Sequence, residues 1–263
     1  MCIRDSPKVW DEGQGGLLDV AIHPEFFTNR LVYLSFSQPA RDGRTAGTAL
    51  VMGELDLSTS PKLRDTRVIF SQNKKTDNSR HFGSRIVISP NRKLFITIGD
   101  RGDGDRAQNP FDHAGSILRI NTNGSSPSSN PFFAGKKGLP EIWSIGHRNP
   151  QGAIWNTVTE SLWTLSHGAQ GGDEINQPLA GKNYGWPIIS YGRHYWGAKI
   201  GVGTHKSGLQ QPIYYWDPSI APSGFAIYSG DIFSKWKGNL FVGALKHELF
   251  SVSYTHLRAH ETD

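Results

Sequence analysis

Apolar and polar positions follow a recurring grammar along the chain: an apolar run, a polar turn, then a second apolar run that ends in a small or polar residue. Residues 17–22 are followed, after the break His23-Pro24-Glu25, by residues 31–36. Residues 86–88 lead across Ser89-Pro90-Asn91-Arg92-Lys93 to 94–98; residues 153–155 lead to 162–165, and 225–228 to 240–245. Short β-branched and aromatic runs bounded by Pro, Gly and Asn predict strands, so each unit reads as a β-hairpin. The second runs begin near 31, 94, 162 and 240, a loose period of about 60–80 residues, longer than a WD40 blade. Hairpins repeated at this spacing, with long polar loops between them, predict radial repetition in a β-propeller. A β-sandwich is the rival, but it has no reason to repeat the hairpin. Loops are predicted at 38–48, 72–80, 101–113, 122–140 and 168–185, and none reads as a linker between two domains.

Composition supports an all-β chain. Among 263 residues there are 30 Gly, 15 Pro and 8 Trp, and the hydrophobic share of 37% is adequate for a large core. No run of 18 apolar residues exists, which argues against a membrane-spanning helix. The net charge of +5 comes from scattered Lys and Arg. That distribution gives no signal for nucleic acid and is compatible with a pocket for an anion. The single cysteine, Cys2, cannot form an intramolecular disulfide. Residues 1–6 and 253–263 fit none of the strand grammar and resemble translated sequencing-adapter sequence. They are set aside as non-native tails, leaving one domain over 7–252.

Three stretches carry candidate chemistry. The hairpin 86–98 folds back on itself, so the residues outside its ends, His81 and Asp100, are expected to approach each other. An imidazole oriented by a carboxylate is the arrangement of a general base, although from this stretch alone a surface His beside a turn Asp is the favoured reading. In Gly146-His147-Arg148-Asn149-Pro150-Gln151-Gly152 a turn presents Arg148, Asn149 and Gln151; Arg can clamp a carboxylate or stabilise a developing oxyanion. In His167-Gly168-Ala169-Gln170-Gly171-Gly172-Asp173-Glu174, Gly-rich backbone can aim carbonyls at a hard cation, but the EF-hand spacing is missing. Asp173 and Glu174 suggest a second calcium site, with solvation at the surface the plainer role. The Gly-Lys-Asn-Tyr-Gly-Trp-Pro run at 181–187 looks like an aromatic-anchored turn. Gln14 and Lys246 complete the polar set.

Together and in order, the motifs GQGGLLD at 13–19, HFG and GD at 81–100, GHRNPQG at 146–152, HGAQGGDEIN at 167–176, GKNYGWP and GALK at 243–246 resemble the glucose/sorbosone dehydrogenase family. The likeness runs from about residue 7 to 250 and is nearest to its soluble PQQ-dependent aldose sugar dehydrogenases. It implies a six-bladed β-propeller, here incomplete at both ends, that binds pyrroloquinoline quinone (PQQ) with Ca²⁺. It also implies oxidation of an aldose at C1 to the lactone. On that resemblance His81 matches the general base and Asp100 its orienting carboxylate. Arg148 and Asn149 match groups at the quinone oxygens, and Gln14 and Gln151 match contacts near sugar and cofactor. The carbonyls of Gly168 and Ala169 match the calcium ligands, and Lys246 matches a cofactor-binding lysine.

The family further implies an external electron acceptor, a periplasmic or secreted location, and a monomer or weak dimer. Two departures stand out. Ala169 replaces the usual proline after His-Gly, which stiffens the loop less. The arginine-bearing strands that follow Lys246 in the family are absent, so weaker cofactor affinity, exposed edges and low stability are expected. A calcium-dependent lactonase and a non-catalytic binding propeller are the rival functions.

Overall fold

The computed structural model describes residues 7–246 and 250–253; the tails 1–6 and 254–263 lie outside the described residues, and Ser253 closes the last strand. The described residues form four antiparallel sheets, each a meander in chain order. The first holds β1 (Leu17–Ile22), β2 (Leu31–Pro39), β3 (Ala46–Asp56) and β4 (Lys62–Ser71). The second holds β5 (Ile86–Ile88), β6 (Lys93–Ile98), β7 (Ser116–Asn121) and β8 (Ile142–Ile145). The third holds β9 (Pro150–Asn156), β10 (Ser161–Ser166), β11 (Asp173–Asn176) and β12 (Tyr214–Trp216), and the fourth β13 (Pro222–Ile227), β14 (Leu240–Ala244) and β15 (Phe250–Ser253).

The hairpins read from the sequence are the first two strands of each sheet. The first strands also touch one another in turn, β1 with β5, β5 with β9 and β9 with β13. This is the neighbour relation of blades set around a common centre, and it agrees with a β-propeller-like fold. The outer strands escaped the sequence reading. β3 begins inside the expected loop 38–48, and β11 lies inside 168–185, so neither stretch is irregular throughout.

Core packing follows the two-residue strand period. On β6, Leu94, Ile96 and Ile98 join Tyr33, Leu50 and Phe70 of the first sheet, while the intervening Phe95 packs with Leu162 of the third. Both faces of β6 are therefore covered, which is why it reads as a continuous apolar run rather than an alternating one. Leu165 and Ile175 of the third sheet meet Leu240 and Val242 of the fourth. Each such side chain contributes about 1.5–3 kcal/mol on burial. By contrast Leu17, Val20 and Ile22 of β1 stay more than half exposed.

Candidate active site

The segments that lead into the first strands converge on one cavity of about 390 Å³. Gln14 precedes β1, residues 81–85 precede β5, Arg148 and Asn149 precede β9 with Gln151 at its start, and Ser219 and Ala221 precede β13. His167, Gly168 and Ala169, on the loop after β10, close the wall.

His81 and Asp100 are brought together as the hairpin argument requires. The imidazole Nδ1 lies 2.6 Å from Asp100 Oδ1, and Asp100 is 1% exposed. A carboxylate has no proton to give, so Nδ1 carries the hydrogen, and in the neutral ring the lone pair lies on Nε2. Asp100 is held from two further sides: the Gly102 N–H donates to Oδ1 at 2.8 Å and the Trp186 indole N–H to Oδ2 at 2.8 Å. His81 adopts φ 54°, and its N–H donates to Gln14 Oε1 at 2.7 Å. This close approach requires Gly99, because a Cβ there would collide with the His81 carbonyl.

Arg148 lies deep in the wall, its guanidinium carbon 5.3 Å from the Trp186 ring and its Nη1 donating to the His167 carbonyl at 3.2 Å. Its Nε is buried and lacks a hydrogen-bond partner. Burial pulls its pKa down, with Asp100 the largest opposing influence. Burial also lowers the pKa of His167, against the pull of Asp173. Asn149 Oδ1 accepts from Gln151 Nε2 at 3.1 Å and from the Gly83 N–H at 3.2 Å, which fixes both amides at the rim of β9.

Arg85, which the sequence reading passed over, ties the inner strands together. Its Nε donates to the Gln151 carbonyl at 2.5 Å, its Nη2 to the Ser223 carbonyl at 3.4 Å, and its Nη1 stands 3.7 Å from Asp19 of β1. A lone Arg ahead of an apolar run reads as a strand end reaching water, so no local signal marked it.

The expectation that Asp173 is solvated is overturned. Asp173 is fully buried; Oδ1 accepts from the Gly168 N–H at 2.8 Å, and Oδ2 from Ser219 Oγ and the Ile220 N–H, both at 2.7 Å. It fastens the glycine loop to the approach of β13 rather than facing water. Burial pushes the Glu174 carboxyl up to about 7. Among the described residues no cluster of three or more His, Cys, Asp or Glu forms a metal site, so a cation in the cavity would depend on carbonyl ligands.

A second compartment of about 410 Å³ shares His81, Arg148, Ala169 and Tyr195 with the first and adds Asp100, Asp103, Asp105 and Trp186. Trp186, read as a structural turn residue, is thus a site residue as well. Lys246 stands apart from both compartments. It is exposed at the end of β14, where its N–H donates to the Ile220 carbonyl, and its neighbour Leu245 lines the first cavity instead.

A family profile described as Glucose / Sorbosone dehydrogenase matches residues 2–262. The chain is 43% identical over 242 residues to aldose sugar dehydrogenase YliI of Escherichia coli K12, covering 91% of this chain and 65% of that relative. Against the crystal structure of the soluble aldose sugar dehydrogenase from Escherichia coli in its apo-form, the TM-score is 0.89 at 40% identity, over 95% of this chain and 75% of the other. Against the PQQ-bound form of aldose sugar dehydrogenase from Streptomyces coelicolor, the TM-score is 0.70 at 26% identity, over 94% and 64% of the two chains. No helix among the described residues is long and apolar enough to cross a membrane.

Proposed function

The chain belongs to the glucose/sorbosone dehydrogenase family, and from that premise we propose that its cavity oxidises an aldose sugar at C1 to the lactone, with PQQ and Ca²⁺ as cofactors. The observation that carries the reading is the His81–Asp100 pair opening onto a cavity lined by Arg85 and Arg148. PQQ is a polycarboxylate, and the residues fit it. Two guanidinium groups line a cavity large enough for a fused-ring ligand, and the buried, unpartnered Nε of half-buried Arg148 is a donor in want of an acceptor. Gly168 and Ala169 would offer calcium their backbone oxygens, and Asn149 and Gln151 would hold polar edges of the ring system. When bound, the quinone with its calcium supplies a two-electron acceptor for the hydride that leaves C1.

The protein's own part is proton handling, orientation and electrostatics. His81 Nε2 takes the proton of the anomeric hydroxyl, and Asp100 stabilises the imidazolium that results. General-base help of this kind is worth about 10²–10⁴-fold in rate. Trp186 and Gly102 keep the carboxylate from swinging away. Arg148 places positive charge where negative charge grows. Asp103 and Asp105 give the second compartment acceptors for sugar hydroxyls.

The same reading extends to a six-bladed propeller in the complete protein, a single domain over 7–252, and a periplasmic or secreted enzyme that hands its electrons to an external acceptor. Reconstitution tests it: the purified chain with PQQ and Ca²⁺ reduces a dye in the presence of aldoses and loses that activity as His81→Ala. PQQ binding without dye reduction by any aldose would count against it.

A further inference from the structure

The geometry points to Arg101 as the positioning residue of this site: it grips the backbone on both sides of His81 and so sets where the imidazole stands against Asp100. The inference rests on the role given to His81 above. Arg101 directly follows Asp100 and is 1% exposed. Its Nη1 donates to the Arg80 carbonyl and its Nη2 to the Asn78 carbonyl. Its guanidinium carbon stands 3.4 Å from the centre of the Phe82 ring. Two holds therefore precede His81 and a third follows it at once.

The strap has further ties, among them the His81 N–H to Gln14 Oε1 and Thr48 Oγ1 to the Phe82 carbonyl, both at 2.7 Å. Asn78 Oδ1 accepts from the Arg80 N–H at 3.0 Å, and the Gln14 N–H donates to the Ser79 carbonyl at 2.8 Å. Both His81 and Arg101 occupy the left-handed region, with φ 54° and 59°, conformations that persist only where neighbours hold them. No carboxylate forms an ion pair with Arg101 among the described residues, and burial lowers its pKa to about 9. An apolar side chain would fill the same space without the cost of a buried charge. What only arginine offers here is a planar fork that fixes two carbonyls at once while lying flat on a ring.

The test is the titration of His81, followed by side-chain NMR in the full chain without sugar or cofactor, in the wild type, Arg101→Met, Arg101→Lys and Arg119→Met. Arg119 is a matched control, a buried Arg 4.3 Å from the Trp143 ring and outside both compartments. The charged and titratable groups that line the two compartments with His81 are Arg85, Asp100, Asp103, Asp105, Arg148, His167, His194 and Tyr195, and none of these is altered; the one charge removed in Arg101→Met is that of Arg101 itself, which Arg101→Lys keeps. In Arg101→Met the loss of a well-placed carboxylate is expected to lower the His81 midpoint by more than removal of the Arg101 charge raises it, a net fall of roughly half a pH unit or more. Arg101→Lys gives a smaller fall, and Arg119→Met lowers the melting temperature without moving the midpoint. With cofactors and sugar, Arg101→Met lowers kcat about tenfold at similar KM. An unmoved midpoint in Arg101→Met, beside a melting temperature lowered as in Arg119→Met, would overturn the inference and leave Arg101 a packing residue. If the Met variant does not fold, Arg101→Lys decides by the same criterion. The titration decides whether or not the wild type oxidises sugars, so the two readings fail separately.

Discussion

Trp186 holds Asp100 on the oxygen that His81 does not use, its indole N–H donating to Oδ2 at 2.8 Å while Oδ1 faces the imidazole at 2.6 Å. The three residues come from three segments of the chain, and the carboxylate between them has little freedom left.

Trp186→Phe keeps the ring and removes the donor. The buried Oδ2 then lacks that partner, which costs about 1–3 kcal/mol. A lowered melting temperature and a several-fold lower kcat are expected, with PQQ affinity little changed. Melts and dye-reduction kinetics on the same preparations check both.

Asp100→Asn leaves the imidazole without a negative neighbour and free to adopt the other tautomer. Sugar oxidation is expected to fall by about 10²–10⁴-fold, as in His81→Ala, and the double variant falls no further because the two act as one unit. A double variant whose loss is the product of the single losses would contradict the pairing.

Arg148→Gln removes the half-buried guanidinium that lines the cavity. PQQ binding, followed by absorbance, is expected to weaken at least about tenfold, the cost of one charge-assisted contact. An unchanged affinity would place the cofactor elsewhere.

Gly168→Ala introduces a Cβ that meets the backbone of Gly171 and Gly172. The loop can no longer close on Asp173, and calcium-dependent PQQ binding is expected to be lost while the sheets remain. If Gly168 and Ala169 hold calcium as proposed, chelation in the wild type is expected to reproduce the loss reversibly, and calorimetric titration with Ca²⁺ reads both.

His147 gives the pH dependence a sign. It is buried against Tyr184, with ring centres 4.7 Å apart, and burial lowers its pKa to about 3 from the usual 6.5. The unfolded chain therefore binds a proton that the folded protein refuses between those values. The contribution is fully present above about pH 6.5 and is lost as pH falls toward 3. Denaturant melts of His147→Gln should show a shallower loss of stability across that window than the wild type.

Much of the fold was legible because the inner hairpins are apolar on both faces and end in Pro, Gly and Asn turns. β4 was not, since Lys62, Arg64, Asp65 and Arg67 leave it largely exposed and its period-two signal weak. β3 was hidden for another reason: Ala46, Gly47 and Thr48 are buried yet too small to read as a strand. The pairing of His81 with Asp100 followed from the hairpin alone. Trp186 and Arg85 did not, because their partners lie in other sheets and no spacing within the chain encodes those contacts. Asp173 misled for the same reason, its partners Ser219 and Ile220 being 46 and 47 residues away.

The ties made by Arg85 have a consequence for the order of assembly. Its acceptors on Gln151 and Ser223 lie 66 and 138 residues further along the chain. Hairpins close on their own within about 1–10 μs, whereas contacts of that separation wait until whole sheets have found their neighbours. Contacts of that kind are therefore expected to complete the cavity late in folding and to leave it among the first features to loosen. On gentle warming, ligand capacity should vanish while the circular dichroism of the sheets is still intact.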